Sequence, residues 1–164
     1  MPDASRVVER VRDLIGSGRT VAVGMGNPDR ADDGAGVLVV SRWKARLKKR
    51  AFIEPETPVE TAVLNHLEDP DVDAFLFVDA ADFGGRPGDI RWFGIEDASG
   101  IKPAWSTHKA PMELLMRLIA SKNKQAFLLG IQAGSVELFG AMTGEVTQAV
   151  GVLSELKGGS HFPE

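Results

Sequence analysis

The segment from residue 24 to residue 36, GMGNPDRADDGAG, constrains the fold of this chain more than any other feature. It follows the short apolar run 20–23, which is rich in β-branched residues and therefore predicts a buried strand. It precedes the apolar run 37–50, which has no helix breaker and ends in cations, as a helix C-terminus favours. The sequence therefore predicts a strand, a tight turn and a helix, with Asp32 and Asp33 near the helix start.

Two adjacent aspartates at a helix start admit two interpretations. In the first, one carboxylate caps the helix by accepting a hydrogen bond from a free backbone N–H, and its neighbour is solvated. In the second, one carboxylate caps the helix and the other points into a cleft as a ligand or base. Capping explains one carboxylate of Asp32 and Asp33 but not both, because adjacent like charges repel each other.

The same glycines raise the question of a nucleotide site. A dinucleotide fingerprint requires the pattern G-x-G-x-x-G, and Gly24 and Gly26 satisfy its first two positions. The third position is Asp29, whose carboxylate lies where a pyrophosphate would need close approach to the backbone. No Gly-Lys-Ser/Thr follows, so a P-loop is excluded. A nucleotide- or phosphate-binding α/β domain stays an alternative that the charge of the turn disfavours.

The composition limits the class of protein. The chain has 164 residues, 43% of them hydrophobic and 26% charged, which fits one globular domain spanning residues 1–164. Its formal net charge of −4 makes nucleic acid and anionic membranes poor partners. It has no cysteine, which excludes disulfides, thiolate metal sites and cysteine nucleophiles and suits the cytoplasm. No signal peptide or membrane-spanning run is recognisable, so we expect no membrane insertion.

Strands and helices alternate along the chain. This alternation predicts an α/β three-layer sandwich with a mostly parallel, twisted, five-stranded sheet and helices on both faces. The strand at 90–93 follows its predecessor so closely that we expect it to run antiparallel at an edge. Residues 1–18 form an N-terminal helix, and residues 158–164 form a frayed tail. The predicted strands are 20–23, 51–53, 74–78, 90–93 and 126–131, and the other predicted helices are 37–50, 60–67, 111–120 and 143–156.

Candidate functional residues follow from this topology, because ligands bind at the carboxyl ends of the strands in such sheets. Asp32 and Asp33 follow the first strand, Asp79 ends the central strand, and His108 lies in a loop that can fold over the same edge. Two carboxylates and one imidazole suit a borderline divalent metal held transiently. Asp82 and Asp89 are assigned to a turn. Other acidic and histidine residues are weaker candidates: Glu60, His66, Glu137 and His161.

An ordered set of motifs resembles the nickel–iron hydrogenase maturation endopeptidases. The resemblance extends from Thr20 to Lys157 and is closest to the subgroup that serves formate-hydrogenlyase-type and related, coenzyme-type hydrogenases. Its strongest part runs from Thr107 to Gln132. The motifs are GxGN at 24–27, DDGxG at 32–36, VDAADFG at 78–84, PG at 87–88, TH at 107–108 and LGIQ at 129–132.

The resemblance implies a function. Such an enzyme is a hydrolase that removes a C-terminal extension from the hydrogenase large-subunit precursor once nickel has been inserted. Nickel is then carried by the substrate, and no cofactor is tightly bound in the free enzyme. The expected fold is a twisted sheet between helices, and the expected partner is the precursor. Residues 1–18 have no counterpart in this resemblance.

The resemblance also implies site residues. Matched by position, the three nickel-contacting and catalytic residues fall on Asp33, Asp79 and His108. Asp32 then orients the site or caps the helix, and Gly26 and Asn27 support the turn. The family is grouped with aspartic peptidases, yet the two carboxylates can serve as ligands rather than as a dyad that shares a proton. A non-catalytic chaperone that checks nickel loading stays a further alternative.

Overall fold

The computed structural model describes residues 3–97, 102–103 and 112–155, with only the backbone described at 102–103. Helices and strands alternate along these residues as the apolar pattern predicts. The helices are α1 (Ala4–Gly16), α2 (Ala35–Leu47), α3 (Val59–His66), α4 (Met112–Ser121) and α5 (Gly144–Ser154). The strands are β1 (Thr20–Gly24), β2 (Ala51–Ile53), β3 (Ala74–Asp82), β4 (Ile90–Phe93), β5 (Lys102–Pro103) and β6 (Gln125–Gln132).

The five main strands form one sheet in the order β2-β1-β3-β6-β4. Strand β1 pairs in parallel with β2 and β3, and β3 pairs in parallel with β6. Strand β4 runs antiparallel to β6 at the edge, which confirms the prediction for residues 90–93. The two-residue β5 adds a short antiparallel pairing to β3. The carboxyl ends of β1, β2 and β3 therefore lie side by side at one edge of the sheet.

Helices cover both faces of this sheet, which confirms the three-layer architecture. Because successive side chains of a strand point to opposite faces, each central strand contributes to both hydrophobic clusters. One cluster joins Leu76 and Val78 of β3 to α1, α2 and α5. The other joins Phe75 and Phe77 of the same strand to α3 and α4. Burial on both sides explains why β3 is a continuous apolar run.

The helices differ from their predicted bounds by a few residues. Helix α2 ends at Leu47, where Lys48 adopts a positive φ of 55° and a 3-10 turn carries the chain to Arg50. Helix α1 buries Val7 and Val11 in the same cluster as α2 and α5. No helix within the described ranges is long and apolar enough to cross a membrane. The predicted tail at 158–164 lies outside the described residues.

Candidate active site

The glycine turn, residues 24–36 after β1, folds back on itself so that its start contacts Asp33. The Met25 amide donates to the Val78 carbonyl over 2.9 Å, so the turn begins at the edge of the sheet. Gly26 has a φ of +119°, which side chains rarely allow. A Cβ at this position would lie 1.9 Å from the Asp33 carbonyl oxygen. Only glycine permits this close approach, and it places Asp33 beside the start of the turn.

A second glycine brings the turn against the central strand. A Cβ on Gly36 would lie 2.1 Å from the Val78 carbonyl oxygen and 2.7 Å from that of Met25. The first turn of α2 therefore packs directly on the end of β3, where Asp79 follows Val78. This contact brings Asp33 and Asp79 to the same place, as the sequence predicts.

The backbone amides of the turn are already bound by carboxylates. The Gly26 amide donates to Glu54 Oε2 over 2.7 Å, and the Asn27 amide donates to Asp33 Oδ2 over 2.9 Å. In a phosphate-binding loop such amides point at the phosphate. Because two carboxylates occupy these donors, the geometry of the turn disfavours the nucleotide alternative.

Asp79 is a buried acid of the site with a strongly raised pKa. Its side chain lies at the end of β3 and the residue is only 5% exposed. Burial raises the pKa of Asp79 well above its ordinary value, and the nearby charges of Asp33 and Glu54 raise it further. A backbone hydrogen bond from Ala80 opposes this shift. Asp79 therefore holds its proton to a higher pH than an exposed aspartate does.

Glu54 belongs to this carboxylate group, and the sequence reasoning missed it. It follows β2 directly, and its amide donates to the Gly24 carbonyl over 2.9 Å. Its carboxylate is the third acid at the same edge, after Asp33 and Asp79. The available signal was the parallel pairing of a short strand that ends in an acid, the same rule that singled out Asp79.

Asp32 has a different role from the one predicted by helix capping. Helix α2 begins at Ala35 with Gly34 at the N-cap position, so neither aspartate is its N-cap residue. Both aspartates lie in the 3-10 turn, Ala31–Gly34, through which the chain enters α2. The buried carboxylate of Asp32 instead accepts hydrogen bonds from the amides of Gly134, Ser135 and Thr143 at 2.7–2.9 Å.

Some of the remaining candidate residues lie outside the part of the chain that the structure describes. His108 and His161 lie outside the described residues, so the predicted site is described at Asp33 and Asp79 alone. Over the described ranges, no three acidic, histidine or cysteine side chains are grouped so as to hold a metal ion. Asp82 and Asp89 accept hydrogen bonds from the amides of Gly84 and Arg86, which confirms their turn role. Glu60 lies in the first turn of α3.

A comparison with protein families matches one family model to most of this chain. The family model described as hydrogenase maturation protease, HycI, matches residues 39–156, which include Asp79 and His108 and begin after Asp33. The hydrogenase 3 maturation protease of Escherichia coli K12 is 28% identical over 127 residues, which are 77% of this chain and 80% of that protein.

Solved structures of hydrogenase maturation proteases have a fold similar to that of this chain. The crystal structure of a NiFe hydrogenase maturation protease, HycI, from Thermococcus kodakarensis superposes with a TM-score of 0.70 at 30% identity, covering 90% of this chain and 95% of that one. The solution structure of the endopeptidase HycI from E. coli gives a TM-score of 0.67 at 28% identity, covering 85% and 89%. The likeness thus extends over most of both chains.

Proposed function

The chain belongs to the HycI family of hydrogenase maturation proteases, and we propose that it removes the C-terminal extension of a nickel–iron hydrogenase large-subunit precursor after nickel insertion. The endopeptidase activity in hydrogenase maturation follows from family membership. The nickel dependence, the site of the cut and the residues responsible are the proposal. The observation that supports it is the proximity of Asp33 and Asp79 at the carboxyl edge of the sheet. They lie beside a turn whose backbone amides donate hydrogen bonds to carboxylates.

Nickel is part of the substrate in this proposal. Cysteine thiolates of the precursor hold the nickel near the scissile bond, and the carboxylates of Asp33 and Asp79 with the imidazole of His108 contact it. Oxygen and nitrogen donors suit a borderline divalent ion such as nickel. Contact with the bound ion positions the peptide, so cleavage depends on completed insertion. The free enzyme then needs no tightly bound metal, because these three side chains bind nickel only weakly without the thiolates of the substrate.

The chemistry is the hydrolysis of one peptide bond. A water molecule adds to the scissile carbonyl carbon and loses a proton to a basic group at the site. The carbon–nitrogen bond then breaks, and the amine of the released extension takes up a proton. In this proposal Asp33 and Asp79 hold or transfer this proton, in addition to contacting the nickel.

The place of action follows from the substrate. The precursor's thiolates must stay reduced to hold nickel, which requires a reducing compartment such as the cytoplasm. This chain contains no cysteine of its own that could compete for the metal or form disulfides. We therefore propose a cytoplasmic enzyme whose partner is the precursor, acting as a single α/β domain.

A processing assay read by mass spectrometry tests the proposal. Nickel-loaded and nickel-free precursor from the same genome would be incubated with the protein, with and without a chelator. The expected result is loss of a C-terminal peptide from the loaded precursor only. Equal cleavage of both forms would contradict the nickel dependence. Binding of the precursor without loss of mass would instead favour the chaperone that checks nickel loading.

A further inference from the structure

Two adjacent apolar side chains project into solvent at the carboxyl edge of the sheet. Leu138 is 56% exposed and Phe139 is 80% exposed, in the loop that joins β6 to α5. Single exposed apolar residues are common on protein surfaces and need no explanation. This pair differs because its backbone is held in an unfavourable conformation, with a φ of 57° at Phe139.

The conformation is held by the glycine turn. The Phe139 amide donates to the Asp29 carbonyl over 2.6 Å, which fixes the residue to the turn. A Cβ on Gly140 would lie 3.6 Å from that of Ala31, so the loop rests on the same turn. A left-handed backbone is unfavourable for a bulky residue and persists only where the surroundings fix it.

The buried carboxylate of Asp32 fixes both ends of this loop. It accepts from Gly134 and Ser135 at the start of the loop and from Thr143 at its end. The Asp32 amide also donates to the Ser135 carbonyl over 3.0 Å. Because Asp32 is directly followed by Asp33, the exposed pair has a fixed position relative to the candidate catalytic carboxylate.

We propose that Leu138 and Phe139 form a binding surface for the precursor polypeptide next to the scissile bond, with Asp32 as the positioning residue for this surface. The inference rests on the proposed function. We assign the substrate as its occupant because the loop that carries the pair is hydrogen-bonded to the turn that contains Asp33. The carboxylates of Asp29 and Glu137 are exposed nearby and would repel an acidic segment, so the segment bound here is apolar and not acidic.

Photo-crosslinking tests the surface independently of catalysis. Phe139→p-benzoylphenylalanine would be irradiated with purified nickel-loaded precursor, and the crosslinked peptide would be identified by mass spectrometry. The expected product joins this position to the precursor segment beside the cleavage site. Leu64 in α3 is 59% exposed and provides the control, since the same replacement there should give no crosslink to that segment.

Steady-state processing gives the second measurement. Phe139→Ala is expected to raise KM for the precursor about tenfold while kcat changes less than twofold, as for an aromatic anchor of an interface. Phe139→Leu should restore most of the affinity, and Leu64→Ala should leave both constants unchanged. A purely structural role would lower the melting temperature and the active fraction of Phe139→Ala without a selective change in KM.

The two measurements separate this inference from the proposed function. If the wild-type protein processes the precursor but neither the crosslink nor the change in KM is found, the surface is overturned and the function stands. If the crosslink forms with the C-terminal part of the precursor but the wild type does not process it, the cleavage fails and the pair stands only as a surface that binds the precursor. Absence of both processing and crosslink overturns both.

Discussion

Glu54 and Gly26 are joined by a hydrogen bond of 2.7 Å from the Gly26 amide to the Glu54 carboxylate, across 28 residues of sequence. The bond is possible because β2 and β1 are parallel neighbours, which places Glu54 directly beside the turn that follows β1. It fixes the turn in position and adds a third carboxylate to the pair formed by Asp33 and Asp79.

Removal of this carboxylate should destabilise the turn. Glu54→Ala leaves the partly buried Gly26 amide without its acceptor and should lower the free energy of unfolding by about 1–2 kcal/mol. Glu54→Gln keeps a side-chain carbonyl as acceptor and should cost less. Urea denaturation of the two variants measures the difference. Equal losses in both would show that the hydrogen bond is not the source of the effect.

Substitution of Gly36 should be severe. In Gly36→Ala the new methyl group would overlap the Val78 and Met25 carbonyl oxygens, which belong to backbone that cannot easily move. We expect a loss of at least about 3 kcal/mol or failure to fold. Gly151→Ala is the matched control, since a Cβ there has no neighbour within 4 Å and the residue lies inside α5.

The control should behave in the opposite way. Alanine is favoured over glycine inside a helix, so Gly151→Ala should raise the free energy of unfolding by up to about 1 kcal/mol. Thermal melts of both variants provide the measurement. A Gly36→Ala protein as stable as the wild type would mean that α2 does not pack on the end of β3 as described.

The buried carboxylate of Asp32 should be indispensable for stability. Asp32→Ala removes the acceptor of three amides and of the Thr143 hydroxyl, and should cost about 3–5 kcal/mol. Asp29→Ala, at an exposed side chain of the same turn, should change stability by less than about 0.5 kcal/mol. Chemical denaturation distinguishes the two. Similar small effects in both would contradict the proposed anchoring.

The raised pKa of Asp79 gives stability a defined pH dependence. Below the pKa of an unfolded aspartate, about 3.9, both states are protonated and burial of the charge costs nothing. As pH rises toward the raised pKa of the folded state, the unfolded state loses its proton first and stability falls. Asp79→Asn lacks this cost, so its advantage over the wild type should grow with pH and then become constant.

The measurement is the free energy of unfolding of both proteins across a pH series in the absence of metal. The comparison of the two proteins cancels the titration of groups that do not interact with Asp79, whereas its coupling to Asp33 and Glu54 is part of the measured difference. A difference that stays constant with pH, or that shrinks as pH rises, would contradict the raised pKa.

Activity should depend on the three predicted site residues. Asp33→Asn, Asp79→Asn and His108→Ala are each expected to give a folded protein whose precursor processing falls by at least about a hundredfold. Circular dichroism checks folding, and gel shift of the precursor measures processing. Full activity in all three variants would overturn the site assignment. Glu113→Gln, at an exposed ion pair in α4, should leave processing unchanged.

Local features of the sequence were sufficient for the order of elements. The apolar runs predicted all five main strands, because burial on one or both faces imposes a pattern on neighbouring residues. The short connection before β4 likewise predicted its antiparallel direction, which the structure confirms. The resemblance of the motifs predicted the family, which the comparisons confirm.

The features that could not be predicted depend on contacts between residues that are distant in the sequence. The sequence predicts that Asp32 orients the site or caps the helix, whereas in the fold its carboxylate accepts a hydrogen bond from the amide of Thr143, which lies 111 residues away. The acid at the end of a short strand was the one signal for Glu54, and the parallel pairing of β2 with β1 is what brings it to the turn. Periodicity reports which residues are buried, but hydrogen-bond partners of buried polar groups are set by which elements become neighbours. For that reason the elements and two carboxylates of the candidate site could be predicted from the order of residues, whereas the way these carboxylates are held depends on the packing of the elements.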